Sequence, residues 1–272
     1  MAFNNKKEAI DPGLKSSLFY TSLLAAVGGP WLLGGGRLEC QPTAAWRRPI
    51  KRTCQGRRPM ADDWVLQEMA AVDLHDKRLE QRLSTVLSQL ASQPRASIPA
   101  ACGGHAEMTA AYRMLDNDAV TWDGILAPHA AAARQRIAAQ PVVLLAQDTT
   151  EIDVTRPHQQ VAGAGPLDGA NRRGALLHLM HAFTPDGTPL GTLDSQAWVR
   201  ADGPTNAAVT RAERAALPLA DKESQRWVTT LERAQAEAEH CPQTQLICVA
   251  DSEADIYEFM ATGTRASSRI DW

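Results

Sequence analysis

The chain has 272 residues, 44% of them hydrophobic and 22% charged, with a formal net charge of −3. This composition is typical of a folded protein with one or two domains, and it excludes a chain too polar to build a core. The charge is unevenly spread: residues 1–59 carry ten lysines and arginines against three acids, whereas residues 60–272 carry eighteen against twenty-eight. The acidic remainder argues against tight DNA binding through overall charge, so any DNA contact must come from local basic clusters.

The five cysteines form no C-x-x-C pair and no zinc-binding spacing. Their number is odd, which does not favour a framework of disulfides. A reduced cytoplasmic protein is the simplest interpretation.

Residues 1–59 have no pattern typical of a domain. The apolar stretch Leu18–Leu33 is interrupted by glycines and a proline, and it is shorter than the ~20 residues that span a bilayer. Lysines ahead of it imitate a secretory signal, and the arginine-rich stretch Arg47–Arg58 shows no periodicity. We predict that residues 1–59 are a non-native or disordered extension and that the folded protein starts near Met60.

Residues 60–140 predict a helical domain. Asp76–Ser92 carries one apolar face with helical spacing, and His105–Leu115 and Thr121–Ala139 predict two further helices, with Thr121 as an N-cap. The apolar face of the first of these helices consists of Leu79, Leu83, Val86, Leu87 and Leu90. Lys77, Arg78 and Arg82 lie off that face, on what would ordinarily be the solvated side of the helix.

Residues 141–272 predict an α/β domain. The apolar run Val142–Ala146 is typical of a strand buried on both faces, and it breaks into Gln147 and Asp148. A second run, Leu246–Ala250, also ends in an aspartate, Asp251. Two such strands side by side in one sheet would place both carboxylates around a divalent cation.

Turn shaping or helix capping is the alternative interpretation of both aspartates. Ser252 and Asp255 fit a capping box at the start of a helix predicted over Glu253–Met260. Capping explains those two residues but does not explain why both apolar runs end in aspartate.

The remaining elements complete a recognisable order. Ala175–Phe183 and Pro189–Val199 predict two strands joined by a turn, which with the first strand form a three-stranded antiparallel meander. His178 and His181 would then point to opposite faces, so a shared metal site is not expected. Asp221–Glu239 predicts a long helix, with Trp227 and Leu231 on its apolar side, that leads to the Asp251 strand. Three strands, a helix and a further strand is the order of an RNase H-like fold.

Several short motifs resemble the bacterial cut-and-paste DDE transposases, and specifically the family of the transposase from the kanamycin-resistance composite transposon. The motifs are DKRLEQRL (76–83), AAYRMLDN (110–117), QDTTEID (147–153), KESQRW (222–227) and ADSEADIYEF (250–259). The resemblance covers roughly residues 60–263, with the motifs in the family's order. It implies a helical transposon-end DNA-binding domain over 60–140, followed by an RNase H-like catalytic domain over 141–272.

The resemblance also implies roles for particular residues. Asp148 and Asp251 would be catalytic and would bind Mg²⁺ or Mn²⁺. The DNA contacts would come from Lys77, Arg78, Arg82, Tyr112 and Arg113. The partner would be double-stranded DNA at the transposon ends, in a cytoplasmic, nucleoid-associated protein without a membrane segment.

The family's third acid, a glutamate in a Tyr-Arg-Trp-Glu-like motif on a later helix, has no counterpart in this sequence. The tail Thr264–Trp272 also departs from the strand expected next. These features predict an incomplete catalytic domain, an N-terminal fragment that is inactive alone. The alternative function is a non-catalytic DNA-binding fragment that inhibits transposition, for example as a heterodimer with a full-length transposase.

Overall fold

The computed structural model describes residues 63–94, 96–156, 158, 161–202, 216–265 and 270–272. The predicted extension over residues 1–59 lies outside this part of the chain. Within the described residues, no helix combines the length and the apolar character needed to cross a membrane.

Four helices form the first part of the described chain: α1 (Asp63–Glu68), α2 (Lys77–Ser92), α3 (Ile98–Ala101) and α4 (His105–Leu115). Helix α2 begins at an N-cap, because the Asp76 side chain accepts a hydrogen bond of 2.8 Å from the backbone N–H of Arg78. Its predicted apolar face is buried at Leu83, Val86, Leu87 and Leu90. These helices enclose a hydrophobic core of their own, which includes Val65, Leu74, Cys102, Ala111 and Met114.

Helix α5 (Trp122–Ala138) begins as predicted, with the Thr121 side chain accepting a hydrogen bond from the backbone N–H of Gly124 at 3.1 Å. It packs on a strand of the sheet, β4 (Pro189–Trp198), and its Ala133 and Ile137 belong to the core of the sheet. The predicted domain boundary at residue 140 stays a prediction, with this helix on its N-terminal side.

The remaining strands of the mixed sheet are β1 (Val142–Asp153), β2 (Gly165–Pro166), β3 (Arg173–Phe183), β5 (Gln245–Val249) and β6 (Ile270–Asp271). The main order is β4-β3-β1-β5-β6, and β2 adds a short antiparallel pairing to β3. Strands β1, β3 and β4 pair antiparallel, which confirms the predicted meander. Strands β5 and β6 continue the sheet in parallel.

Two strand predictions are wrong in detail. The tail was expected to lack the next strand, yet Ile270 pairs with Leu246 in β6. Strand β1 does not end at Ala146 but continues to Asp153, because β3 pairs with it along the whole polar stretch. Strand β5, in contrast, pairs with β1 only as far as Ala146. Asp148 therefore lies mid-strand, just beyond the point where β1 loses one of its two neighbours.

Helix α6 (Gln225–His240) covers one face of the sheet, with Trp227 and Leu231 fully buried as predicted. The helix predicted from Glu253 begins later, at Tyr257, as α7 (Tyr257–Arg265). A short 3₁₀ turn over Ser252–Ala254 precedes it. The predicted Ser252 capping box is wrong, since the Asp251 side chain itself caps this turn.

A buried polar cluster, which we call the His129 cluster, joins α1 to α5 and β4. Glu68 of α1 accepts two hydrogen bonds from the Arg136 guanidinium, at 2.8 and 3.0 Å, and contacts Nδ1 of His129. Nε2 of His129 accepts a hydrogen bond of 2.8 Å from the backbone N–H of Thr192 in β4. Although burial opposes it, the hydrogen bonds from His129 and Arg136 lower the pKa of Glu68.

Candidate active site

The parallel pairing of β1 with β5 brings Asp148 and Asp251 to matching positions. Ala146 and Val249 are the last residues paired between the two strands, and each aspartate follows two residues later. Both aspartates are exposed. The strand register therefore brings the ends of two apolar runs, which are distant in sequence, to matching positions in the sheet.

Each aspartate uses one carboxylate oxygen to order its own backbone. Oδ1 of Asp148 accepts a hydrogen bond of 2.7 Å from the N–H of Thr149, and Oδ1 of Asp251 accepts one of 2.8 Å from the N–H of Glu253. In the described part of the chain, Oδ2 of each aspartate has no hydrogen-bond partner. Carboxylate oxygens of this kind suit Mg²⁺ or Mn²⁺, so the donor chemistry fits the predicted metal. No group of three or more potential metal-ligating side chains occurs among the described residues.

Arg226 connects the segments that carry the two aspartates. Its Nε donates a hydrogen bond of 2.7 Å to Oγ1 of Thr149 in β1, and its Nη2 lies 2.7 Å from the Glu253 carboxylate in the turn after Asp251. Its Nη1 donates to the backbone carbonyl of Glu223 at 2.9 Å. Three motifs of the sequence, QDTTEID, KESQRW and ADSEADIYEF, thus meet at one guanidinium.

The side chain of Arg226 is held by its surroundings, being only 12% exposed. Its guanidinium carbon lies 5.6 Å from the ring centroid of Trp198 and 5.4 Å from that of Trp227, within the range of cation–π contacts. The preceding acid, Glu223, accepts two hydrogen bonds from Arg200, at 2.6 and 2.8 Å. A cation fixed by its neighbours on several sides is a rigid connection rather than a mobile surface charge.

A chain of hydrogen bonds, which we call the His178 chain, continues from Arg226 into the sheet. Oγ1 of Thr149 lies 2.8 Å from Nδ1 of His178, and Nε2 of His178 lies 3.2 Å from Oε1 of Gln147. Nε2 of Gln147 then donates to Sγ of Cys248 at 3.0 Å. With Thr149 donating to Nδ1, His178 carries its proton on Nε2, and every polar side chain of the His178 chain has a hydrogen-bond partner.

Burial keeps His178 and Cys248, the two titratable side chains of the His178 chain, uncharged. Burial, with the positive charge of Arg226, lowers the pKa of His178 to about 3. Burial raises the pKa of Cys248 to about 11, against the opposing hydrogen bond from Gln147. At neutral pH the His178 ring is therefore a neutral imidazole. It packs edge-on against Trp227, with 4.6 Å between the two ring centroids. Nδ1 of His181 instead lies 2.8 Å from Oγ1 of Thr192 in β4.

Sequence reasoning missed Arg226, Thr149, Glu253 and the His178 chain. Arg226 and Thr149 lie inside motifs that carry the family resemblance, and this was the available signal. Nothing in their spacing indicates that they touch, because 77 positions separate Arg226 from Thr149 and only the tertiary fold joins them.

The predicted DNA-binding residues lie on α2 and α4. Lys77 and Arg78 are exposed in the first turn of α2, and Arg113 is exposed in the last turn of α4. Tyr112 is half-buried. Arg82 forms an ion pair with Glu107 that joins the two helices, so part of its charge is already neutralised. Contact of these five residues with DNA stays a prediction.

The comparison with protein families assigns the first part of the described fold to a class. Residues 61–120 match the family model described as transposase DNA-binding. This range contains α1 to α4 and all five predicted DNA contacts. The match supports a protein of the transposase type that binds DNA. The comparison with curated proteins found no match.

Proposed function

We propose that the chain is a DDE transposase of an insertion sequence, related to the transposase of the kanamycin-resistance composite transposon. Helices α1 to α4 bind the transposon ends, and the sheet, read as an RNase H-like domain, carries two acids of the catalytic site. The observation that carries this proposal is the pairing of β1 with β5, in which Asp148 and Asp251 each stand two residues beyond the last pair. This arrangement lies directly after a transposase DNA-binding match.

In this proposal Asp148 and Asp251 hold Mg²⁺ or Mn²⁺ through their carboxylates. When bound, two such ions would activate the attacking oxygen and stabilise the leaving oxygen of the phosphodiester. The chain's own residues orient the carboxylates: the N–H groups of Thr149 and Glu253 each fix one oxygen, which turns the other outwards. The protein is proposed to act in the cytoplasm, at the nucleoid.

The family's third acid has no counterpart among the residues of this sequence, so we propose that the chain alone does not cut DNA. A metal site that lacks a ligand positions the attacking water poorly, and misplacement of that order costs about 10²-fold in rate. Apolar side chains near the Asp251 strand are partly exposed, namely Val249, Tyr257, Met260 and Trp272. Exposed apolar side chains of this kind favour either aggregation or binding to a partner protein. We propose a full-length transposase as that partner.

The second candidate function, DNA binding without catalysis, is favoured by the core that α1 to α4 form with the first turn of α5, which is distinct from the core of the sheet. A fragment that occupies transposon ends through these helices would inhibit a complete enzyme. Both functions require DNA binding, and only the first requires a metal site at Asp148 and Asp251.

The test begins with selection of bound duplexes from a random-sequence pool. We expect affinity to fall steeply with salt, because phosphate contacts release counterions. Replacing Arg78, Arg82 and Arg113 together by Ala should weaken binding and reduce the salt slope by about three. A control triple variant at Arg172, Arg233 and Arg265 removes the same charge outside residues 61–120. Equal losses in both triple variants would contradict the assignment of the interface.

The second step is a nicking assay on the selected duplex with Mg²⁺ or Mn²⁺. We expect no metal-dependent nicking by the chain alone. Nicking that disappears in Asp148→Ala would support the transposase and overturn the proposal that the chain is inactive. Absence of any preferred duplex would overturn both candidate functions.

A further inference from the structure

We propose that Arg226 is a positioning residue for the Asp148 and Asp251 carboxylates: one guanidinium joins β1 to the turn after β5 and thereby sets the separation between the two aspartates. This inference rests on the proposed function for the identity of what the carboxylates bind. Arg226 contacts neither aspartate in the described hydrogen bonds, so it acts through Thr149 and Glu253.

The two aspartates need such a connection because the sheet does not supply it. The backbone pairing of β1 with β5 ends at Ala146 and Val249, two residues before either carboxylate. Beyond that point, β1 stays fixed by β3 on its other side, with Asp148 opposite Leu179. The Asp251 segment leaves the sheet and turns, so its distance from β1 depends on side chains.

Arg226 is placed to make this connection. It holds Oγ1 of Thr149, the residue after Asp148, and the carboxylate of Glu253, two residues after Asp251. Glu253 is also the residue whose N–H orders the Asp251 side chain. A shift of Glu253 would therefore move the Asp251 carboxylate, whereas a shift of Thr149 would move the Asp148 carboxylate.

The anchoring of Arg226 makes the connection stiff. Arg226 lies on helix α6 next to the fully buried Trp227, and its Nη1 donates a hydrogen bond to the backbone carbonyl of Glu223. Thr149 is held in turn by His178. Mutation of a residue that orients metal ligands in this way commonly lowers the metal affinity by about 10- to 100-fold.

The test measures Mn²⁺ binding to the purified chain by electron paramagnetic resonance, without DNA. We expect Arg226→Gln and Glu253→Gln each to weaken Mn²⁺ binding about tenfold, and the double variant to bind about as weakly as either single one, because both remove the same link. Arg226→Lys, which keeps the charge, should recover part of the affinity. Glu253 is 60% exposed, so Glu253→Gln tests the link without endangering the fold.

The matched control is Arg233→Gln. Arg233 lies on the same helix and pairs with Asp194 of β4, away from the aspartates. Wild-type affinity in Arg226→Gln and Glu253→Gln, or an equal loss in Arg233→Gln, would overturn the positioning role.

A metal-free measurement separates this inference from the proposed function. The backbone N–H groups of Ala254 and Asp255 are hydrogen-bonded within the turn, so hydrogen exchange reports its order. Exchange there should be faster in Arg226→Gln and unchanged in Arg233→Gln. Unchanged exchange in Arg226→Gln would overturn the connection itself. If Asp148→Ala and Asp251→Ala both bind Mn²⁺ like the wild type, the metal site of the proposed function fails instead.

Discussion

The His129 cluster and the His178 chain are two buried polar networks built around a histidine, and they differ in where their charges lie. The His129 cluster places the nearly buried Glu68 carboxylate beside the ring and pairs it with the half-exposed Arg136. The His178 chain is uncharged inside and meets a charge only at Arg226, whose partner Glu253 reaches solvent. The first network ties a helix of the DNA-binding region to the sheet. The second ends next to the candidate metal ligands.

This difference indicates different roles for the two networks. A closed ionic cluster contributes to the fold as long as it is complete, because removing one partner leaves an uncompensated buried charge. A neutral chain that ends at a solvent-facing ion pair can tolerate loss of that pair, while changing the geometry of what lies beside it.

Loss of Glu68 should be the most damaging change. Glu68→Ala leaves Nδ1 of His129, a side chain only 1% exposed, and the Arg136 guanidinium without their carboxylate, and we expect the free energy of unfolding to fall by about 3 kcal/mol. Urea denaturation of the purified chain measures it. The control is Glu107→Ala, which breaks the Arg82 pair; the Glu107 side chain is 45% exposed against 11% for Glu68, so its loss should cost less than about 1 kcal/mol. Similar losses in both variants would remove the distinction between a closed cluster and a surface pair.

The bend of β4 at Gly191 should be the next most sensitive position. Its φ is +136°, and a Cβ there would lie 2.8 Å from Cβ of Ala133 and 3.1 Å from Nε2 of His129. We expect Gly191→Ala to lower the free energy of unfolding by about 2–3 kcal/mol, from strain together with the clash. Gly187→Ala has a φ of +86° but nothing within 4 Å, so it isolates the strain at about 1 kcal/mol. Equal losses of stability in Gly191→Ala and Gly187→Ala would show that Ala133 and His129 move aside at little energetic cost.

The His178 chain should make stability depend on pH. The pKa of His178 is lowered to about 3 in the fold, from about 6.5 when exposed, so the unfolded chain takes up the proton first. Its contribution is complete above pH ~6.5 and is lost as the pH falls towards ~3, at about 1.4 kcal/mol per unit. His181, with a pKa lowered to about 4 by burial and by His129, adds a similar slope.

Between pH 6.5 and 5, we therefore expect His178→Gln to lose about 1.6 kcal/mol less stability than the wild type. Urea denaturation at both pH values measures this difference. If the free energy of unfolding depended on pH in the same way in both proteins, His178 would titrate normally, and the His178 chain would be open to water.

The sequence predicted what depends on local pattern. The meander, α2, α4, the N-cap at Thr121 and the burial of Trp227 follow from periodicity and turn residues, and the structure confirms them. The end of β1 could not be predicted, because its polar half is a strand only through pairing with β3. The turn after Asp251 was mistaken for a helix start, since Ser252 and Asp255 satisfy a capping pattern that the fold does not use.

The two aspartates of the candidate site were predicted from their motifs, but not what surrounds them. Arg226 meets Thr149 and Glu253 across long stretches of chain, and such contacts leave no local pattern. The His129 cluster was missed for the same reason: Glu68 and His129 are separate in sequence and meet only when α1 docks beside α5.

Metal-directed cleavage of the backbone tests the central claim most directly. Fe²⁺ placed in a Mg²⁺ site reduces added hydrogen peroxide to hydroxyl radicals, ascorbate returns the Fe³⁺ to Fe²⁺, and the radicals cut the chain next to the ion, where mass spectrometry locates the cuts. We predict cuts near both Asp148 and Asp251, suppressed by excess Mg²⁺ and lost at both positions in either Asp148→Asn or Asp251→Asn. Cuts at one position only, or cuts near one aspartate that survive replacement of the other, would contradict a shared site.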